Sequence, residues 1–144
     1  MIHTFTTDET RWLSNMHLVD IEFDGRIFPS VEHAYQSAKF HDESWKEYCS
    51  ARHIASKLVK VASRSEDFVL RPDWDEVKLN VMEECLREKF KQEPFRSKLI
   101  ATGKQNIQEG NFWGDIFWGV DLKKDPNVGE NHLGRLIMKI RDEL

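Results

Sequence analysis

Apolar and polar positions alternate along residues 17–28, His17-Leu-Val-Asp-Ile-Glu-Phe-Asp-Gly-Arg-Ile-Phe, on both sides of the pair Asp24-Gly25. Period-two alternation around a two-residue Asp-Gly turn predicts a β-hairpin, and a strand near Ile2–Phe5 is expected to join it. Pro29-Ser30 ends the strand, and Ser30 is placed to N-cap a helix over 31–40. Asp73 and Glu76, three residues apart, frame a second helix start. Trp74, Val77, Val81, Met82 and Cys85 then recur at helical spacing to about Lys91. Pro94 opens a short helix that Gly103 closes. Residues 104–129 read as irregular, and Leu133, Leu136, Ile137 and Ile140 form the apolar face of a last helix. No repeat, low-complexity tract or Gly/Ser linker interrupts residues 1–144. The expectation is therefore an α+β fold: a predominantly helical single domain with a small antiparallel sheet.

Composition narrows the function classes. The 144 residues are 40% hydrophobic and 32% charged, which suits a globular core and excludes global disorder. A net charge of −4 gives no basic surplus for coating nucleic acid, so broad nucleic-acid binding is not expected. No apolar run approaches the roughly 18 residues that cross a bilayer, and Met1-Ile2-His3-Thr4 opens no signal peptide. No membrane association and a cytoplasmic location are the corresponding expectations. Cys49 and Cys85 form neither a C-x-x-C pair nor a disulfide framework, and the six histidines show no ligand spacing. Neither a metal nor another cofactor is expected.

Two segments carry candidate chemistry. On the helix over 31–40, Val31, Ala34, Tyr35 and Ala38 form an apolar stripe. Glu32 and Lys39 fall within ~20° of each other on a helical wheel, with Gln36 beside them. Side chains bordering an apolar stripe are partly desolvated, which moves carboxylate and amine pKa values towards a working range. The plainer reading is a carboxylate complementing the helix dipole and a lysine on the surface. The second segment, Glu109-Gly-Asn-Phe-Trp-Gly-Asp-Ile-Phe-Trp-Gly119, crowds aromatics, glycines and acids into a stretch unsuited to helix or strand. Its rings must pack on the core or on a flat ligand such as a nucleobase. Arg11-Trp12-Leu13-Ser14-Asn15 and Gly129-Glu-Asn-His-Leu-Gly-Arg135 are smaller clusters, each readable as a turn or cap or as ligand contacts.

Together these segments resemble the NADAR (NAD and ADP-ribose associated) superfamily, also called YbiA-like. The resemblance rests on Trp12-Leu-Ser-Asn-Met16, on Asp24-Gly25, and on Pro29-Ser-Val-Glu-His-Ala-Tyr-Gln-Ser-Ala-Lys39. It continues through Arg71-Pro-Asp-Trp74, Lys78 to Met82, Lys89-Phe90, Glu109-Gly-Asn111, Asp115-Ile-Phe-Trp-Gly119, Gly129-x-Asn131-x-Leu133-Gly134 and Met138-x-x-Arg141. Trp12 and Met16 stand where phenylalanine is commoner, and Cys49–Ser65 departs from the pattern.

The resemblance implies an N-glycosidase that breaks the C1–N bond of a ribose carrying a 5′-phosphate. Its small-molecule substrates would be early riboflavin-pathway aminopyrimidine ribosides, with release of ribose 5-phosphate. ADP-ribosylated guanine is the enzymatic alternative, and an ADP-ribose or nucleotide-binding module is the alternative without turnover. Such a cleavage builds positive charge at C1, so carboxylates are expected at the centre. Among the matched positions, Glu32 is assigned to acid/base work, and Asp115 to ribose hydroxyls or charge stabilisation. Lys39 is assigned either to attack on C1 or to phosphate binding. Ser14, Asn15, Tyr35, Gln36, Trp74, Asn111, Trp118 and Asn131 complete the set as substrate-binding residues.

Overall fold

The computed structural model describes residues Met1–Leu144. Its elements are β1 (Ile2–Thr4), β2 (Ile21–Phe23), β3 (Arg26–Phe28), α1 (Val31–Ser37), α2 (Glu43–Ser50), α3 (Ser56–Ala62), α4 (Trp74–Phe90), α5 (Phe95–Ala101), β4 (Ile107–Asn111), β5 (Val120–Asp121) and α6 (His132–Asp142). The fold is α+β with helices predominant. The contacts sort into two compact units: Met1–Ser14 with Phe90–Leu144, and Asn15–Lys89.

In the unit Asn15–Lys89, the hairpin forms as its pattern predicts. Ile21 pairs with Phe28 and Phe23 with Arg26, antiparallel. Asp24 and Gly25 take φ of 49° and 78°, the left-handed pair that a two-residue turn of this hand requires. Ser30 caps α1 by accepting from the His33 backbone N–H at 3.1 Å. Helix α1 then packs against α2, α3, β2 and β3. Every residue from Val31 to Ala38 is consequently buried, polar ones included. Trp45 of α2 joins Phe40 and Phe68 in a ring cluster, and its indole N–H donates to the Gln36 carbonyl at 2.8 Å. Asp73 directs its carboxylate to Arg71, at 2.7 and 2.9 Å, just ahead of α4.

The other unit holds the second sheet, in the order β1-β4-β5. β1 therefore does not join the hairpin, contrary to the sequence expectation. It pairs parallel with β4, Ile2 opposite Ile107 and Thr4 opposite Gly110, across a bulge. β5 also pairs parallel with β4, Gly110 opposite Val120. Two strands thus lie within the stretch 104–129 that reads as irregular, because pairing partners distant in sequence leave no local turn signal. Helix α6 packs on β4 through Leu133, Ile137 and Ile140, all buried. The approach is close: a Cβ on Gly134 would collide with the Ile107 carbonyl. No helix is long and apolar enough to cross a membrane.

Candidate active site

Helix α1 ends sooner than its sequence predicts. Ala38 is its C-cap, and the Lys39 backbone N–H reaches only to the Gln36 carbonyl, at 3.2 Å. Two distant contacts stop it: Phe40 bridges to Leu70, and the Arg71 N–H donates to the Lys39 carbonyl at 2.9 Å. Lys39 accordingly sits one tight turn beyond the helix instead of two turns along it. It nonetheless shares an electrostatic environment with Glu32.

Glu32 is 7% exposed and Gln36 4%. This differs from a strip at the margin of an apolar stripe, since the polar face of α1 is as buried as its apolar face. The Gln36 amide donates to Glu32 Oε1 at 2.8 Å, and the Glu32 backbone N–H donates to the Asn15 carbonyl at 2.9 Å. Asn15 in turn directs its amide N–H at Met82 Sδ, 3.6 Å away. Two buried acceptors, Asn15 Oδ1 and Gln36 Oε1, have no hydrogen-bond donor. A buried carbonyl without a donor costs about 1–3 kcal/mol, so the pair marks unmet hydrogen-bonding capacity beside Glu32.

The half-buried Lys39 amine donates to Ser63 Oγ at 3.4 Å and lies 6.0 Å from the centre of the Tyr35 ring. Burial lowers its pKa from the ordinary lysine value. Glu32 pulls the other way, while Arg64, Lys60 and Lys78 add to the lowering. The Tyr35 ring lies 5.2 Å from that of Trp74, tilted by 55°, and both rings are buried. Cys49 is also buried; desolvation and then Glu32 push its thiol up to about 12, which removes it as a nucleophile. His33 bridges Ser30 Oγ and the Ile54 carbonyl, each at 2.6 Å, and burial lowers its pKa. It holds the start of α1 to the segment before α3.

Of the expected residues, Asn15, Glu32, Tyr35, Gln36, Lys39 and Trp74 fall in the unit Asn15–Lys89. Ser14, Asn111, Asp115, Trp118 and Asn131 fall in the other unit. There the aromatic loop is built from within. Asn111 donates to the Asp115 carbonyl at 2.9 Å and accepts from the Asp115 N–H at 3.0 Å. Asp115 Oδ1 accepts from the Phe117 and Trp118 N–H groups, at 3.1 and 2.9 Å. Asn131, at φ 52°, accepts from the Glu109 N–H and donates to the Ile107 carbonyl, both at 3.0 Å. The two asparagine amides thus hold strand and loop backbone. Phe112 and Trp113 are left 56% exposed, and Trp118 half-buried.

Lys60, Ser63 and Arg64 gather around Lys39 without having been singled out in the sequence, although Lys60 and Arg64 form a basic pair four residues apart. Two clefts of about 290 and 270 Å³ share His41 and Arg71, and neither is lined by Glu32 or Lys39. Their Arg71 and Lys46 are paired with Asp73 and Asp24. No group of His, Cys, Asp or Glu side chains converges to hold a metal ion.

A buried carboxylate beside an amine of lowered pKa is the equipment of a hydrolase or transferase acting through acid/base or nucleophilic steps. The NADAR domain model matches residues 3–144, and the chain belongs to that family. It is 34% identical over 141 residues to the N-glycosidase YbiA of Escherichia coli, covering 96% of this chain and 84% of that one. An N-glycosidase of Nostoc punctiforme is 33% identical over 134 residues, 91% of this chain and 83% of the relative. A riboflavin biosynthesis protein of Vibrio vulnificus is 32% identical over 99% of this chain, which spans only 38% of that relative. The solution structure of the E. coli protein YbiA superposes with a TM-score of 0.80 at 31% identity, covering 99% of this chain and 86% of that one. The chain is an N-glycosidase.

Proposed function

We propose that the enzyme hydrolyses the C1–N bond of a 5′-phosphorylated riboside, with early riboflavin-pathway aminopyrimidine ribosides as the substrate class and ribose 5-phosphate as the sugar product. The observation that carries this reading is the buried set Glu32–Gln36–Lys39 with the orphan acceptors Asn15 Oδ1 and Gln36 Oε1. Two carbonyls that lack donors suit the hydroxyls of a ribose. The carboxylate suits the positive charge that develops as the base leaves.

In the proposed cycle the neutral Lys39 amine attacks C1, and the C1–N electron pair departs with the base, which takes the proton that the new ammonium releases through the Glu32 carboxylate. The resulting ribosyl-lysine opens to an imine at C1 as the C1–O4′ bond breaks and the remaining N–H proton passes to O4′. Water, deprotonated by Glu32, adds to that imine and releases the sugar and the free amine. Burial favours this role for Lys39, because the neutral amine is the nucleophilic form. For Asp115, whose Oδ1 holds the loop backbone, contact with ribose hydroxyls is what the family resemblance alone implies. Asp115→Asn preserves the acceptor that the loop backbone uses and so separates that role from loop shape.

Base release from a panel of ribosides, followed by chromatography of base and sugar, tests the substrate assignment. Borohydride reduction during turnover tests the covalent step: an adduct on the peptide containing Lys39 is the expected result, and an unmodified peptide removes the imine. ADP-ribosylated guanine is the second reading. The exposed Phe112 and Trp113 favour it, since they offer ring faces to a nucleobase. The same panel decides between the two.

A further inference from the structure

One buried imidazole ties together the segments that carry the candidate reaction centre. His33 is 1% exposed, and the hydroxyls beside it belong to Ser30 and Ser56, 0% and 7% exposed. The Ile54 carbonyl can only accept, so its 2.6 Å contact assigns a hydrogen to His33 Nε2. Burial lowers the pKa of the ring and keeps it neutral. Nδ1 is then an acceptor, and it takes the Ser30 hydroxyl proton at 2.6 Å. Ser30 Oγ in turn accepts from the His33 backbone N–H at 3.1 Å. The one proton of the Ser56 hydroxyl is shared between Ser30 Oγ, at 3.1 Å, and the Met16 carbonyl, at 3.4 Å. In this tautomer each side-chain hydrogen of the cluster has an acceptor.

From this cluster a short path leads to each part of the site. Glu32 precedes His33 on α1, and its backbone N–H donates to the Asn15 carbonyl at 2.9 Å. Met16, which Ser56 holds, follows Asn15 directly. Ile54 lies two residues before α3 and Ser56 is its first residue; at its far end the C-cap Ser63 accepts from the Lys39 amine at 3.4 Å. We propose that His33 is a positioning residue for the reaction: its two ring nitrogens hold α3 and the Asn15–Met16 segment against α1, and so fix Glu32 relative to the Lys39 amine. This rests on the reading of Glu32 and Lys39 as the reaction centre. A side chain this buried does not reach substrate, so its effect on rate passes through geometry. A displacement of about 1 Å between reacting groups costs up to about 100-fold in rate, far more than it costs in binding.

The test compares base release by wild type, His33→Leu, His33→Gln and Ser56→Ala, each first examined by circular dichroism and thermal melting. His33→Leu loses both ring contacts and lowers kcat by about 30–100-fold, with KM changed by less than about threefold. His33→Gln keeps a donor for the Ile54 carbonyl and recovers the larger part of that loss. Ser56→Ala lowers kcat by about fivefold, and this milder variant decides the matter if His33→Leu does not fold. Thr102→Val, which loses the bond from Arg141 in the other unit, is the control for lowered stability and keeps its kcat. Wild-type kcat in folded His33→Leu or in Ser56→Ala, a loss carried by KM alone, a His33→Gln no better than His33→Leu, or an equal kcat loss in Thr102→Val overturns the proposal. The 15N shifts of the His33 ring give a readout independent of turnover: a protonated Nε2 and a bare Nδ1 are expected, and the opposite tautomer overturns it. If the wild type releases no base from any riboside, the functional reading fails separately. The Asn15 and Lys39 amide signals of Ser56→Ala then test the positioning alone, and unmoved signals reject it.

Discussion

At the scale of single residues, the arrangement predicts how rate depends on pH. In the proposed cycle the reactive form of Lys39 is neutral, and burial lowers its pKa, so the rising limb of kcat/KM is expected below the ordinary lysine value. Removing a like charge makes protonation easier; Lys60→Gln and Arg64→Gln therefore move that limb to higher pH. Removing an opposite charge does the reverse, so Glu32→Gln moves it lower while reducing kcat by about 10²–10⁴-fold. Stopped-time assays from pH 5 to 10 on the three variants check all three directions.

Lys89 supplies an independent test through stability. It is fully buried on α4, and desolvation lowers its pKa to about 7. The unfolded chain then binds the extra proton between that value and the ordinary 10.5. Its contribution is thus fully present above the unfolded value and lost as pH falls towards 7. Cys49 and Cys85 act oppositely above about pH 9, because burial raises both thiols. Urea unfolding of wild type and Lys89→Met should diverge between pH 7 and 9, with only the wild type gaining stability over that window. The sequence placed Glu32, Gln36 and Lys39 together from period alone. It could not show that α1 stops at Ser37, because Leu70 and Arg71 stop it from more than thirty residues away.

At the scale of elements, legibility followed the distance between partners. The hairpin was readable because Asp24-Gly25 lies between its strands, and α5 and α6 were readable from Pro94, Gly103 and one apolar face. β4 was not: Ile107-Gln-Glu-Gly-Asn111 shows no clean alternation, and its partners are Ile2–Thr4 and Val120–Asp121. What shapes the loop between β4 and β5 is a small set of side-chain amides and one carboxylate. Asn111→Ala breaks its two bonds to Asp115, and Asn131→Ala breaks the bonds to Ile107 and Glu109. Each should lower unfolding free energy by about 2–3 kcal/mol in chemical denaturation, a loss a surface asparagine would not show. Gly119→Ala is expected to be worse, since its Cβ would meet Glu109 and the Asn111 amide.

At the scale of the whole molecule, the family match covers residues 3–144 while the contacts fall into two compact units. Nothing in the composition marks their borders at Ser14 and Lys89, the second of which lies inside α4. The expectation of one domain rests on the same absence of a compositional break. The unit Met1–Ser14 with Phe90–Leu144 joins segments distant in sequence, and β1 is one of the two edge strands of its sheet. Deleting residues 1–5 removes the Ile2–Ile107 pairing and the buried Phe5. A thermal melt should fall by several degrees, and amide exchange in Ile107–Asn111 should accelerate.

The pairing of β1 with β4 also has a consequence for biosynthesis. A chain leaves the ribosome amino end first, so Ile2–Thr4 emerges more than a hundred residues before its partner exists. Through most of translation it is a strand with an open edge, the kind of segment that pairs with whatever else is available. Slowed elongation between Asn15 and Ile107 should therefore reduce soluble yield, and holdase chaperones should be captured on nascent chains that end before β4.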